Sequence, residues 1–255
     1  MSRAELGQQG DLVDAMARMQ RVGAVVHGVL EPAEVSAALE RAEAAWRDLP
    51  HRALCEGAST LGVMLAPTMS EPSGPELPQY LAAAESFVAP DVLGASAWQR
   101  VMNVLTELAG GRAVTHLHTA DGRPYARATL RVFQSGAQSP PHNDTYPALP
   151  CLEELDRQRQ RELQLSWYLM LSAPERGGQL ALFPVVHGDP AARDAEAAAQ
   201  LHAPTLYDVR PGDMIVFDGG RYLHRVERCE GPTPRRTLGG FASLTRDGSA
   251  LLVWS

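Results

Sequence analysis

The spacing of apolar residues changes once along the chain. Before residue 112, DLVDAMARMQ (11–20), EPAEVSAALERAEAAWRDL (31–49) and ASAWQRVMNVLTELAGG (95–111) repeat apolar positions at helical spacing. GAVVHGVL (23–30) is apolar and β-branched, which predicts a strand between the first two helices. Residues 1–112 are therefore expected to form a mainly helical N-terminal layer.

From about residue 113 the apolar positions alternate with period two, which predicts strands. Eight short segments separated by turn residues show this pattern: AVTHLHT, YARATLRVFQ, LQLSWYLMLS, GQLALFPVV, DMIVFD, LHRVERC, RTLGGFASL and LLVWS. Many short strands after a helical start predict an α+β fold, in which helices pack on one face of an antiparallel jelly-roll or barrel. This core is expected to span residues 113–255.

Two polar, helix-prone insertions interrupt the strands, at residues 152–163 and 189–202. The second is rich in alanine and is expected to decorate the surface. The first is equally compatible with surface decoration and with a lid over a pocket. Neither insertion breaks the expectation of one domain over residues 1–255, because a chain of this length can bury a single substantial core.

Charge and composition exclude several classes of function. The net charge of −7 and the lack of a Lys/Arg-rich run argue against a nucleic-acid partner. No apolar stretch approaches the length of a membrane span, and the N-terminus has no apolar core of the kind found in signal peptides. The three cysteines are scattered without zinc spacing, which is typical of reduced thiols. A cytoplasmic protein, monomeric or homodimeric, is expected.

The segment PPHNDTYP (140–147) carries the first candidate chemistry. Residues i and i+2 of a strand project the same way, about 6 to 7 Å apart, so His142 and Asp144 could converge on one metal ion. His224, which follows a turn and starts a strand, is the strongest candidate for a third ligand. Two imidazoles and one carboxylate on one face of an ion leave the opposite positions open. That arrangement suits non-haem Fe(II) with a chelating cosubstrate and O2.

A keto-acid cosubstrate would need a fixed cation for its far carboxylate. Arg235 and Thr237 lie two residues apart, on one face of a predicted strand. A guanidinium fork beside a hydroxyl group forms a good carboxylate clamp. Arg236 points to the opposite face if the strand is regular.

Together these residues resemble the 2-oxoglutarate/Fe(II)-dependent oxygenases. The likeness covers about residues 125–245 and rests on four elements in order: H-N-D at 142–144, LSWYLMLSAPERGGQLALFP, PGDMIVFD…LHRV, and R-R-T at 235–237. It implies a double-stranded β-helix (jelly-roll, cupin-like) core. It also implies Fe(II) held by His142, Asp144 and His224, 2-oxoglutarate and O2 as cosubstrates, and Arg235 and Thr237 on the distal carboxylate of 2-oxoglutarate.

The segment QLSWYLMLSAPERGGQL looks most like small bacterial enzymes that act on free or simply derivatised amino acids, a group of hydroxylases and radical halogenases. Halogenases of this group carry a small residue in place of the carboxylate ligand, which leaves space for chloride. Because Asp144 is present, the resemblance implies hydroxylation or a related oxidation, such as desaturation, and not chlorination. A peptidyl, protein or carrier-bound substrate is the alternative within the enzyme class, and a non-catalytic metal-binding jelly-roll sensor is the alternative outside it.

Substrate contacts are predicted from strand faces. If Phe133 faces inward, Arg131 and Arg127 do so too. An arginine inside an apolar barrel is costly unless it is paired with an anion, so Arg131 is the first candidate for a carboxylate partner, with a structural ion pair as the alternative. Trp167 and Tyr168 lie on opposite faces, so only one of them can face a pocket. The further candidates are Asn143, Tyr146 and Trp167.

The sequence argues against two rival interpretations, a different metal site and a different metal chemistry. The second H-x-D, at His187 and Asp189, lies too close to His224 in sequence for the strands that should intervene. A zinc hydrolase can also use two histidines and a carboxylate, but the helical H-E-x-x-H motif is absent and a hydrolase has no need of the Arg235 clamp.

Overall fold

A computed structural model of the chain describes residues 1–6, 10–65, 76–87, 89–145 and 152–255. Within those residues the helices lie mainly in the first part of the chain, and each of the three segments with helical spacing contains one of them. They are α1 (Arg3–Leu6), α2 (Leu12–Ala17), α3 (Pro32–Asp48), α4 (Leu77–Ala84), α5 (Ala89–Leu93), α6 (Ala95–Leu108), α7 (Glu153–Gln158) and α8 (Ala195–Leu201).

Each segment with period-two spacing contains a strand, and the apolar segment 23–30 contains one too. The strands are β1 (Gly23–Val26), β2 (His51–Cys55), β3 (Ala58–Leu61), β4 (Ala113–His116), β5 (Thr129–Phe133), β6 (Leu165–Ser172), β7 (Arg176–Gly177), β8 (Leu180–Val186), β9 (Thr205–Tyr207), β10 (Met214–Phe217), β11 (Tyr222–Val226), β12 (Cys229–Glu230), β13 (Arg235–Leu244) and β14 (Ala250–Trp254). The sequence pattern missed the hairpin β2–β3, which lies inside the part of the chain expected to be mainly helical.

Most strands join one large sheet. Its order is β1-β10-β6-β13-β5-β3-β2, and β14 pairs with β13 while β4 pairs with β14. All these pairs are antiparallel except β14 with β4. A smaller sheet has the order β11-β8-β9, and β12 pairs with β7. The large antiparallel sheet and the helices confirm a mixed α and β fold.

The two faces of β6 have different neighbours. Trp167, Leu169 and Leu171 pack into the main hydrophobic core, which also takes in apolar residues of α3 and α6. Tyr168 and Met170 alternate with them and pack instead with residues of β8 and β10. The large sheet therefore presents one face to the helices and the other to the smaller sheet.

The two insertions differ in how they attach. Leu152 and Leu155, at the start of α7, are buried in a cluster with Tyr80 and Trp254. The first insertion is thus anchored in the interior. In the second, Ala198 and Ala199 of α8 cover the outer side of β8, while Leu201 is 81 % exposed, in keeping with surface decoration.

None of the helices in the described ranges is both long enough and apolar enough to cross a membrane.

Candidate metal centre

A cavity of about 460 Å³ lies between the two sheets. The large sheet contributes side chains from β5, β6 and β13, and the smaller sheet contributes Leu180, His224 and Val226. The hairpin that the sequence pattern missed supplies Leu54 and Cys55, because β3 pairs with β5 and so brings β2 to this side of the sheet. Apart from a few polar groups, the wall is apolar.

His142 and His224 face each other across a pair of backbone hydrogen bonds. The His142 N–H donates to the His224 carbonyl at 2.9 Å, and the His224 N–H donates to the His142 carbonyl at 2.9 Å. This antiparallel pairing places the two ring centroids 4.4 Å apart. One histidine comes from the segment after β5 and the other from β11, so the pairing joins two distant parts of the chain.

The ring nitrogens of both histidines have fixed roles. Nδ1 of His142 lies 2.8 Å from the Pro140 carbonyl oxygen, and Nδ1 of His224 lies 3.0 Å from the Tyr222 carbonyl oxygen. Because a carbonyl oxygen only accepts, each Nδ1 must carry the hydrogen. In the neutral rings this leaves each Nε2 with a lone pair, which is the arrangement found in metal-binding histidines.

Both Nε2 atoms face the carboxylate of Asp144. Nε2 of His142 is 3.7 Å from Oδ1, and Nε2 of His224 is 3.5 Å from Oδ2. Ligand atoms of the three residues all lie within 4.8 Å of one another. In the part of the chain that the structure describes, this is the one group of His, Cys, Asp or Glu side chains that could share a metal ion. The predicted trio is therefore brought together.

The protonation states suit a metal. Burial alone would raise the pKa of Asp144, but the neighbouring His224 and His142 rings and the Ser166 hydroxyl hold that pKa well below its ordinary value. Burial and the neighbouring His224 lower the pKa of His142. A charged carboxylate and neutral imidazoles are the forms that bind metal ions.

Three residues that sequence reasoning missed hold the side chain and the backbone of Asp144. The Ser166 hydroxyl donates to Oδ2, and Nε2 of Gln164 donates to the Asp144 carbonyl oxygen. The Asp144 N–H donates to the carbonyl of Gly219 at 2.8 Å. A methyl group on Gly219 would lie 2.6 Å from Oδ2 of Asp144, so only glycine fits there. The two-residue period of the β6 sequence predicts which of its side chains face inward. It does not predict these contacts, which form only in the folded chain.

Arg235 and Thr237 lie on the cavity wall, 2 % and 1 % exposed. Nε of Arg235 donates to the Gly178 carbonyl at 2.9 Å, and the guanidinium carbon lies 4.8 Å from the Tyr168 ring centroid. Nη2 is buried without a hydrogen-bond partner among the described residues. Burying a cation with an unsatisfied donor reduces the stability of the protein unless an anion binds to it.

Arg236 points away from the cavity, as the strand period predicts. Its Nη2 lies 3.4 Å from a carboxylate oxygen of Glu43, on the helical side of the sheet. Of the two adjacent arginines, only Arg235 is therefore placed to contact a ligand in the cavity.

Tyr168, not Trp167, points its ring at the site. Its ring contacts Arg235, and its hydroxyl is buried without a hydrogen-bond partner within the described ranges. Burial raises the pKa of Tyr168 despite the opposing charge of Arg235, so the hydroxyl stays protonated and can donate. Trp167 borders the cavity, but its ring packs 6.3 Å from that of Trp98 in the core. A substrate contact by Trp167 therefore stays a prediction.

Only some of the other residues predicted to contact substrate line the cavity. Arg131 and Asn143 line the cavity. Arg127 is not among the residues that line it, and its charge acts on His116; β5 begins only at Thr129, so the period of two does not extend back to residue 127, and a substrate contact by Arg127 stays a prediction. Tyr146 lies outside the described residues.

The sequence profile of one protein family, described as carrier-protein-independent halogenase WelO5, matches residues 1–255. No curated protein sequence matches the chain significantly.

Solved structures share the fold at low identity. An N-substituted L-amino acid dioxygenase from Burkholderia ambifaria AMMD, in complex with alpha-KG, is 17% identical with a TM-score of 0.58, covering 94% of this chain and 89% of its own. The non-heme alpha ketoglutarate dependent epimerase SnoN from nogalamycin biosynthesis is 16% identical with a TM-score of 0.54, covering 91% and 84%. A prolyl hydroxylase from Trichoplax adhaerens is 11% identical with a TM-score of 0.51, covering 93% and 90%. At these identities the likeness establishes the fold alone.

Gly219→Ala tests the packing around the carboxylate. The added methyl group would displace Asp144 and Ser166, so we expect the affinity for Fe(II) or Co(II) to fall at least about tenfold. The control is Gly188→Ala, where φ is +87° and a methyl group would meet no atom within 4 Å. It should cost about 1 to 2 kcal/mol of stability through its backbone conformation and leave metal affinity intact. Equal metal affinity in the two variants, measured by anaerobic titration, would contradict this account.

Proposed function

We propose a reaction for this chain on the premise that it belongs to the family of the carrier-protein-independent halogenase WelO5, among the 2-oxoglutarate/Fe(II)-dependent oxygenases. The chain is an Fe(II)- and 2-oxoglutarate-dependent dioxygenase that hydroxylates an unactivated C–H bond of a small molecule. The observation that carries this proposal is the Asp144 carboxylate, which lies between the two histidines of the cluster.

The residues present fit the cofactor and cosubstrate. His142, Asp144 and His224 would hold Fe(II), since they offer two imidazole nitrogens and a carboxylate around a shared centre. Bound Fe(II), with 2-oxoglutarate and O2, supplies the oxidising chemistry needed to break an unactivated C–H bond. The protein's part is to orient the reactants and to exclude competing reactions.

A clamp for 2-oxoglutarate is formed by Arg235, Thr237 and Tyr168. The guanidinium and the two hydroxyls would donate to the distal carboxylate, which satisfies the unused donors of Arg235 and Tyr168. The Tyr168 ring beneath the guanidinium also keeps Arg235 in one orientation. Tyr168 is an addition to the pair identified in the sequence.

Oxygenation is favoured over halogenation by how the carboxylate is held. A halide would need the position that Asp144 occupies beside Nε2 of both histidines. The contact with Ser166 and the lack of room at Gly219 keep the carboxylate there. A protein in a halogenase family that keeps this ligand is therefore proposed to transfer oxygen.

The substrate is proposed to be a free or derivatised amino acid. The cavity volume is within the range of about 300 to 1,000 Å³ typical of small-molecule sites. Arg131 lines the wall next to the clamp, since its partner across the strands is Thr237, and it would bind a substrate carboxylate. Leu54, Met64 and Val226 would contact the apolar part. Asn143 borders the same space.

The finer description of the fold belongs to the same proposal. The strands that carry the site would form a double-stranded β-helix within one oxygenase domain over residues 1–255. Support comes from the position of the cavity between the large sheet and the smaller sheet, with the metal cluster at the pairing of His142 and His224.

Turnover in the presence of halide tests the reaction. Iron-loaded protein is given 2-oxoglutarate, O2, excess chloride or bromide, and a pool of free and N-acylated amino acids, and products are followed by mass spectrometry. We expect succinate and a product heavier by one oxygen atom, with no halogenated product. Incorporation of halide would contradict the role assigned to Asp144.

Removing a proposed ligand should abolish iron binding and turnover together. Asp144→Ala and His224→Ala each leave a two-residue site, so in halide-free buffer iron content per chain and succinate formation should fall below detection. The matched control is Asp189→Ala, which alters the second H-x-D and removes only a cap on Ala191. Activity retained in Asp144→Ala, or lost in Asp189→Ala with iron content reduced, would refute the ligand assignment.

Arg235→Ala should act mainly on 2-oxoglutarate. Loss of a charge-assisted hydrogen bond to a buried carboxylate costs about 1.5 to 3 kcal/mol, so KM for 2-oxoglutarate should rise about 10- to 150-fold. Arg236→Ala is the matched control, since its partner Glu43 lies on the other side of the sheet. Steady-state kinetics at fixed substrate distinguish the two. A similar KM in both variants would place the clamp elsewhere.

A further inference from the structure

A chain of buried polar side chains leads from the first insertion to the backbone of Asp144. Nε and Nη2 of Arg159 both lie 2.9 Å from Oδ1 of Asp156. Nη1 of Arg159 donates to Oε1 of Gln164, and Nε2 of Gln164 donates to the carbonyl oxygen of Asp144. Arg159 and Gln164 are 7% and 6% exposed, so water does not compete freely for these bonds.

Arg159 determines which way the Gln164 amide points. A guanidinium only donates hydrogen bonds, so the amide oxygen must face Arg159. The amide nitrogen then faces the Asp144 carbonyl, which only accepts. Asp156 balances the buried charge of Arg159, and the Trp254 ring lies 5.4 Å from the guanidinium carbon. Without Arg159, rotation of the amide by half a turn would bring two oxygen atoms together at Asp144.

Gln164 also connects both chain segments that carry the metal cluster. Its side chain holds the Asp144 carbonyl, and its own carbonyl accepts from the Gly220 N–H at 2.8 Å, four residues before His224. Two residues further along the chain, Ser166 holds the Asp144 carboxylate. The backbone and the side chain of Asp144 are therefore both held from one short stretch, residues 164–166.

We propose that Gln164 and Arg159 are positioning residues for the metal site. Gln164 keeps the Asp144 backbone where its carboxylate meets both histidines, and Arg159 keeps the Gln164 amide in the orientation that allows this. Neither residue is assigned a contact with substrate or 2-oxoglutarate. This inference rests on the proposed function, because it takes Asp144 as a metal ligand.

Gln164→Glu is the sharpest test. The new carboxylate can still accept from Arg159, so the fold should survive, but it cannot donate to Asp144 and places an oxygen against the carbonyl. We expect Co(II) affinity, measured by anaerobic titration, to fall about 10- to 100-fold, and the visible bands of bound Co(II) to shift. Gln158→Glu is the matched control: it adds the same charge at the end of α7, where the Gln158 amide donates to the His118 carbonyl and to the Glu154 carboxylate. That variant should bind Co(II) like the unaltered protein.

A double-mutant cycle tests whether Arg159 acts on the metal site through Gln164. Arg159→Met keeps an unbranched apolar side chain on Trp254 but loses the donor. We expect Arg159→Met to weaken Co(II) binding, and Arg159→Met combined with Gln164→Leu to be no weaker than Gln164→Leu alone. Additive effects, or an unchanged affinity in Gln164→Glu with melting temperature unaltered, would overturn the proposal. Thermal unfolding of each variant separates loss of fold from loss of metal.

Co(II) binding by the variants distinguishes an error in the positioning role of Gln164 from an error in the metal site itself. If the unaltered protein binds Co(II) and Asp144→Ala does not, the metal site stands, and equal binding by Gln164→Glu then removes only the positioning role. If the unaltered protein binds no Co(II) or binds it as well without Asp144, the metal assignment itself is wrong, and the positioning role is overturned with it.

Discussion

The backbone pairing of His142 with His224 is the interaction on which the rest of the site depends. Two hydrogen bonds of 2.9 Å join the segment that follows β5 to β11 of the smaller sheet, and both histidines line the cavity. Because paired residues of an antiparallel ladder project side chains to the same side, both imidazoles reach one point. Their Nδ1 hydrogens are held by backbone carbonyls within the same turns of chain. The fold therefore creates two oriented Nε2 atoms before any ligand arrives.

Burial of charge next to this pairing gives the cavity its chemistry. Asp144 is held by Ser166 and Gln164, while Arg235 is nearly inaccessible to water and has a donor without a hydrogen-bond partner among the described residues. Such charges reduce stability unless a metal ion or an anion satisfies them. A site of this kind exchanges some stability of the empty protein for affinity toward Fe(II) and a dicarboxylate. The apolar remainder of the wall, including Leu54 from the hairpin β2–β3, leaves space for an organic substrate.

The sequence predicts the strands, and the faces on which their side chains lie, well where a short period carries the information. The two-residue period located the strands, and it placed Arg235 and Thr237 on one face and Arg236 on the other. The hairpin β2–β3 was missed because β2 alternates exposed and half-buried residues around a short, polar segment. Arg127 is not among the residues that line the cavity, since β5 begins only at Thr129 and the two-residue period does not reach it. The contacts of Gly219 with Asp144 and of Arg159 with Gln164 arise from tertiary packing, which no local pattern records.

The central claim is that the three side chains hold one iron and leave adjacent positions for a chelating keto acid. It is tested most directly by anaerobic titration of metal-free protein, first with Fe(II) and then with 2-oxoglutarate, while the weak visible charge-transfer absorption of the chelate is followed. The account predicts a band that saturates at one iron and one 2-oxoglutarate per chain, and that succinate cannot produce. No band at saturating iron and 2-oxoglutarate, or an unchanged band in His224→Ala, would contradict it.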